Sequence, residues 1–251
     1  MSLIDTNVQV HLPEHSICTT LEAHTLSKLL LAQVFRLPEE LFPGRTFTTG
    51  ATAANILGLA CGREYIFQES PGDASIGELG LLEASQRTGI VGVDILCAMP
   101  HASIYKAAGV VGLGRDSVKD IGSYHDGLPW DLDMVKLEEY LSGSEGKGRR
   151  GIIVVMSWGE VNTGRFTRGI RAVREMVDKY CGPKKYRKAW IHVDGAFGLF
   201  GRLFKEDDEF EELRLIAKSV DGLECADSIT ADGHKMLNVV SQSQEPKSQN
   251  T

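Results

Sequence analysis

A mostly parallel α/β sheet with helices on both faces is the fold class this sequence predicts, and three observations carry it. Gly151-Ile-Ile-Val-Val-Met-Ser157 is an unbroken apolar run bounded by glycine and turn residues, as a strand covered on both faces requires. Val91–Cys97 and Trp190–Asp194 are two further short runs with the character of buried strands. Between residues 47 and 238 such runs alternate with stretches of helical spacing, the pattern of strands joined by crossover helices.

A chain of 251 residues can bury a sizeable core in one large α/β domain or two small ones. With 42% hydrophobic and 24% charged residues, the composition argues against global disorder. The net charge of −7 argues against nucleic acid or an anionic membrane surface as a partner. The richest basic run, Lys184-Lys-Tyr-Arg-Lys188, precedes a strand and reads as a solvated turn. Cys18, Cys61, Cys97, Cys181 and Cys225 show no CxxC or zinc-type spacing, so no metal site is expected, and an odd count suits thiols in a reducing compartment. The N-terminus lacks the basic and apolar regions of a signal peptide. No apolar run approaches the roughly 18 residues of a membrane span, so a cytoplasmic protein is expected.

In chain order, residues 8–19 read as an extended arm. Thr20 then caps a helix whose apolar face is Leu21, Leu26, Leu29, Leu30 and Val34, with Pro38 beyond its end. Phe47-Thr-Thr-Gly-Ala-Thr-Ala-Ala-Asn55 leads small residues and hydroxyls into an apolar helix. Gly50, Ala51 and Thr52 would present main-chain N–H groups and a hydroxyl at the positive end of the helix dipole, where a phosphate binds; an ordinary N-cap also accounts for this string. Ser75–Thr88 reads as a helix. Val91–Cys97 ends at a strand terminus that carries His101, just before a helix near Ala102; a cap or polar filler is the plainer role for a histidine there. Val110–Gly114 holds a bare G-x-G without the third glycine of a dinucleotide fingerprint.

Asp131–Leu141 reads as an amphipathic helix, followed by an exposed loop, Ser142–Arg150, whose Gly-Lys lacks the spacing of a P-loop. Trp158–Gly164 should border a cleft and offers Glu160, Asn162 and Thr163, with no contact assigned to them. A helix is expected over Thr167–Tyr180, and a charged surface helix over Arg202–Val220.

Asp194 falls at the carboxyl end of its strand, where parallel sheets place ligands, and Gly195 and Ala196 behind it leave room for a flat ring. Asp227–Asn238 carries a short apolar run to Gly233, with His234 and Lys235 at once beyond it. A lysine where a strand gives out into a turn projects its amine into a cleft, as a nucleophile toward a carbonyl; alone, Gly-His-Lys is also an ordinary surface turn. A carboxylate and a lysine 41 positions later are the two groups a pyridoxal phosphate site needs. The lysine binds the cofactor covalently and the carboxylate keeps the pyridine nitrogen protonated, so that the ring accepts electrons.

Asp194-Gly-Ala196 with Gly-His234-Lys235-Met-Leu-Asn238 resembles the group II pyridoxal-phosphate-dependent amino acid decarboxylases, relatives of aromatic-L-amino-acid and glutamate decarboxylases, from about Val8 to Asn238. The resemblance implies the large domain of the aspartate-aminotransferase-like fold (fold type I) over residues 47–238. An N-terminal arm and helix over 1–46, cleft-lining or dimer-forming, would precede it, and a disordered polar tail over 239–251 would follow. It implies a carboxy-lyase that converts an amino acid to an amine and carbon dioxide, in a homodimer. Lys235, Asp194 and His101 would be catalytic, His101 stacking on the pyridine ring and serving in reprotonation. Gly50, Ala51, Thr52, His101, Asp194, Ala196, His234 and Lys235 would contact the cofactor.

The sequence departs from the family after Asn238, where a Pro-Tyr segment and a small C-terminal domain are replaced by a polar tail; the usual N-terminal segment is also missing. A truncated chain with impaired activity and doubtful dimerisation is therefore expected. Two alternatives stay open: another fold type I enzyme, an aminotransferase or lyase, that uses the same lysine and aspartate, or an inactive paralogue that pairs with a full-length subunit.

Overall fold

The computed structural model describes residues 17–70, 72–143 and 148–237, and the chain divides into two units, residues 1–47 and 48–251. In the first, α1 (Cys18–His24) runs on into a wider helical segment with i→i+5 bonding over Thr25–Val34. Ile17, not Thr20, stands at the N-cap, and no side chain caps the helix. Cys18 and Thr19 are therefore helical rather than part of an extended arm; residues 8–16 of that arm lie outside the described residues. The buried positions are Ser27, Leu31 and Phe35, while Leu21 and Leu29 of the expected apolar face are about half exposed. The wider turn explains the change, because its period exceeds 3.6 and brings residues four apart onto one line. Glu22 accepts from Thr46 Oγ1 at 2.9 Å and from Phe47 N at 2.7 Å, which ties the end of the unit to its helix.

The second unit contains α2 (Ala51–Phe67), α3 (Ile76–Thr88), β1 (Ile90–Cys97), α4 (Ala102–Val110), β2 (Val118–Asp120), β3 (Gly122–Ser123), β4 (Leu128–Leu132) and α5 (Met134–Ser142). It continues with β5 (Arg149–Ser157), α6 (Ile170–Tyr180), β6 (Ala189–Asp194), α7 (Glu211–Ser219), β7 (Ser228–Thr230) and α8 (Gly233–Met236). Five strands form one sheet in the order β2-β1-β5-β6-β7, with every pairing parallel. β3 and β4 form a separate antiparallel ribbon. β5 lies at the centre of the sheet, and its residues Ile152–Met156 are fully buried. Both faces are covered, so its sequence is continuously apolar rather than alternating.

α3 starts at a capping box, in which Ser75 Oγ accepts from Glu78 N and the Glu78 carboxylate accepts from Ser75 N. α2 lies close against β6 because Gly58 and Gly62 leave room for it. A Cβ on Gly58 would sit 2.3 Å from His192 Cε1, and one on Gly62 would sit 2.9 Å from Trp190 Cδ1. Among the described residues no helix is long and apolar enough to cross a membrane.

Several sequence expectations change. The helix expected from Asp131 begins at Met134: Asp131 and Leu132 end β4, and Asp133 Oδ1 caps the helix by accepting from Val135 N and Lys136 N. The helix expected from Thr167 begins at Ile170. Thr167 Oγ1 donates to Trp130 O at 2.8 Å and Arg168 pairs with Asp131, which holds that end against β4. The helix expected over Arg202–Val220 is a 3-10 segment at Gly198–Leu203 and a separate α7. Arg187 and Lys188 are buried, not solvated. Lys188 Nζ donates to the carbonyls of Tyr65 and Gln68, so its cation closes the C-terminal end of α2. The Gly-Lys of the loop at 144–147 and the tail from Asn238 onward lie outside the described residues.

Candidate active site

The chain order of the sheet reverses direction at β1, which has β2 on one side and β5 on the other. In such sheets ligands bind beyond the carboxyl ends of the strands near that switch. A cavity of about 470 Å³ opens there, and the segments that follow β1, β5, β6 and β7 all contribute to its wall. Pairing register aligns Ser157 of β5 with Asp194 of β6 and Asp194 with Thr230 of β7, so these side chains meet at one edge.

Asp194 is held from two sides: Oδ2 accepts from Asn55 Nδ2 at 2.8 Å and Oδ1 from Ala196 N at 3.2 Å. Lys235 was expected in a turn at a strand end; it lies instead on α8, because Asp232 is a good N-cap and accepts from His234 N. Its amine is half-buried, 4.0 Å from the centroid of the Phe197 ring on the cavity wall. His234 Nδ1 lies 2.5 Å from Asp232 Oδ1. Asp232 is only 5% exposed, and its Oδ2 has no hydrogen-bond partner among the described residues.

Gly50 is the N-cap of α2, with φ +143° and no side-chain cap, so no capping side chain takes the first-turn N–H groups. Ala51, Thr52 and Ala196 line the cavity alongside it. His101 caps α4, its Nδ1 accepting from Ser103 N at 3.2 Å, and its exposed ring also lines the cavity. Gly50, Ala51, Thr52, His101, Asp194, Ala196, His234 and Lys235 thus share one cavity wall.

The 158–164 loop contributes Gly159, Glu160 and Val161 to the cavity. Asn162 and Thr163 turn onto Glu160 instead, donating to its carboxylate from both main-chain N–H groups and both side chains. Burial pushes the Glu160 carboxyl up, but these bonds outweigh it and hold the pKa below the usual range. Cys97 lies 3.7 Å from Ser157 Oγ, and burial pushes its thiol up to about 12, so it is not a nucleophile at neutral pH.

The sequence reasoning missed four polar residues, Ser103 on the cavity wall and Asn55, His192 and Ser228 behind it. His192 is fully buried, and desolvation brings its pKa down to about 4. Its Nε2 lies 3.0 Å from Asn55 Oδ1 and its Nδ1 2.8 Å from Ser228 Oγ. A signal was present, since Asn55 and His192 each interrupt an apolar run, and a buried polar group requires a partner.

A family model, the pyridoxal-dependent decarboxylase conserved domain, matches residues 4–244. An L-2,4-diaminobutyrate decarboxylase of Acinetobacter baumannii is 27% identical over 195 residues, covering 75% of this chain and 34% of that protein. A protein of the same description from Rhizobium meliloti (strain 1021) is 32% identical over 146 residues, covering 58% of this chain and 25% of its own. The chain thus spans about a third or less of the length of these curated relatives.

Among solved structures, the glutamate decarboxylase domain of diaminobutyrate-pyruvate transaminase and L-2,4-diaminobutyrate decarboxylase from Vibrio parahaemolyticus matches with a TM-score of 0.66. It is 23% identical, over 90% of this chain and 43% of that one. Oryza sativa TDC with PLP and tryptamine matches with a TM-score of 0.62, 20% identical over 88% and 40% of the two chains. These structural likenesses place the fold with that of the large domain of fold type I enzymes. By the match over residues 4–244, the chain belongs to the pyridoxal-dependent decarboxylase family.

Proposed function

We propose that residues 47–238 form the cofactor-binding body of a pyridoxal-phosphate-dependent amino acid carboxy-lyase that acts in the cytoplasm, with homodimerisation belonging to the full-length enzyme. The observation that carries this reading is that Asp194, Lys235 and the uncapped N-terminus of α2 share one cavity at the carboxyl edge of the parallel sheet. The donor set fits the cofactor. The N–H groups at Ala51 and Thr52, the Thr52 hydroxyl and His234 suit a phosphate, and the Lys235 amine suits an aldehyde. Asp194, anchored by Asn55, suits a protonated ring nitrogen, and Ala196 leaves space beside it. Relatives that are L-2,4-diaminobutyrate decarboxylases support an amino acid as the substrate.

When bound, the cofactor supplies an electron-accepting ring that takes up the electron pair left when carbon dioxide departs. The Lys235 amine would hold the cofactor by its aldehyde carbon and give way there to the substrate amine. Asp194 keeps positive charge at the ring nitrogen by electrostatic attraction. His101, on the cavity wall, would pack against the ring and serve as a proton donor for the carbon that lost its carboxylate. Phe197 and Met99 line the cavity with apolar surface that excludes water.

The test is to add pyridoxal phosphate to the purified chain, reduce with borohydride and map the labelled peptide, then screen amino acids, diaminobutyrate among them, for carbon dioxide release. The label is expected on Lys235, with amine and carbon dioxide as products. A reducible adduct that persists in Lys235→Ala, or a keto acid product, would overturn the assignment.

A further inference from the structure

The amide of Asn55 makes four hydrogen bonds, which is the full capacity of its side chain. We infer that Asn55 is a positioning residue that fixes both the orientation of Asp194 and the nitrogen on which the buried His192 carries its hydrogen, through one directed chain of bonds.

The direction follows from groups with no choice of role. The indole Nε1 of Trp190 can only donate, and it donates to Ser228 Oγ at 2.8 Å. Ser228 Oγ, with one lone pair and its own hydrogen left, can meet His192 Nδ1, 2.8 Å away, in either role. His192 is neutral in its buried site, and Asn55 Oδ1, which can only accept, faces its Nε2 at 3.0 Å, so the one ring hydrogen sits on Nε2 and Nδ1 accepts from Ser228. Thr230 Oγ1 donates to the same oxygen at 3.2 Å. Turning the amide over would set its oxygen against the Asp194 carboxylate, acceptor against acceptor. Nδ2 therefore faces Asp194 Oδ2 at 2.8 Å and Ser103 Oγ at 3.2 Å, using both of its hydrogens.

Ser103 Oγ, having accepted from Asn55, meets His101 Nδ1 at 2.8 Å, the nitrogen that caps α4 by accepting from Ser103 N. One fully buried amide on α2 thus links the carboxylate to the histidine cap of α4. The consequence for catalysis rests on the decarboxylase reading: Asp194 stays aimed at the ring nitrogen. The chain of bonds itself does not depend on that reading.

The test uses the 15N-labelled full chain without added cofactor and reads imidazole tautomers by long-range 1H–15N NMR near neutral pH, with signals assigned by His101→Gln and His192→Gln. His192 is expected with hydrogen on Nε2, and Ser228→Ala should leave it there, because Asn55 Oδ1 still faces that nitrogen. Asn55→Ala should release His192 into a tautomer mixture. Asn55→Ala should also weaken pyridoxal phosphate binding about ten-fold, the effect of losing one charge-assisted hydrogen bond. His192 with hydrogen on Nδ1 in the wild type, or a hydrogen that moves to Nδ1 in Ser228→Ala, would overturn the inference. These two readouts decide it even if Asn55→Ala fails to fold. Intact tautomers in a chain that releases no carbon dioxide would leave the bond chain standing and count against the proposed function alone.

Discussion

Acidification should destabilise this fold through His192, in an amount that can be worked out. Burial brings its pKa from 6.5 to about 4 in the folded chain, against an opposing pull from Asp194. Between those values the unfolded chain binds a proton that the folded chain does not, so the unfolded state gains as pH falls. The contribution is fully present above the unfolded value of 6.5 and is lost as pH drops toward about 4. At about 1.4 kcal/mol per unit, the loss totals about 3 kcal/mol. The structural reason is that an imidazolium must donate from both nitrogens, while Nδ1 here accepts from the Ser228 hydroxyl. The assay is urea unfolding of the wild type and of His192→Gln at fixed temperature, from pH 7 to pH about 4.5, the lower end of the window in which linkage applies. The wild type should lose about 2–3 kcal/mol more than the variant across that range. Parallel profiles for the two proteins would refute the reasoning.

Two further perturbations test the packing that carries the site. Gly58→Ala puts a methyl into the His192 ring, 2.3 Å from Cε1; the overpacking should cost about 1–3 kcal/mol in urea unfolding, and unchanged stability would show that α2 can back away from β6. Arg150→Met leaves Asp94, only 7% exposed, without its two-bond partner at 2.7 and 2.8 Å. Because the arginine is itself partly exposed, the expected loss is about 2 kcal/mol, and adding Asp94→Asn should recover part of it.

β1, β5 and β6 were legible because strands buried on both faces leave continuous apolar runs, a signal local to the sequence. β2 and β3, at three and two residues, carry no periodic signal and exist through pairing with partners elsewhere. The starts of α5 and α6 were misplaced for a related reason. Bonds between Thr167 and Trp130 and between Arg168 and Asp131, each 37 residues apart, decide where the chain stays extended.

The sequence by itself determined the fold class, the apolar strands and, through local motifs, the residues around Asp194 and Lys235. Those features depend on residues adjacent in the chain, where burial periodicity and motif spacing operate. Only the tertiary structure decided that Lys235 sits on a helix capped by Asp232, that Lys188 is buried at the end of α2, and that Asn55 joins Asp194, Ser103, His192 and Thr230. Asn55 meets those four from 48 to 175 positions away. A polar residue in an apolar run announces that a partner exists; which group it meets depends on how helix and sheet pack, and no local pattern contains that.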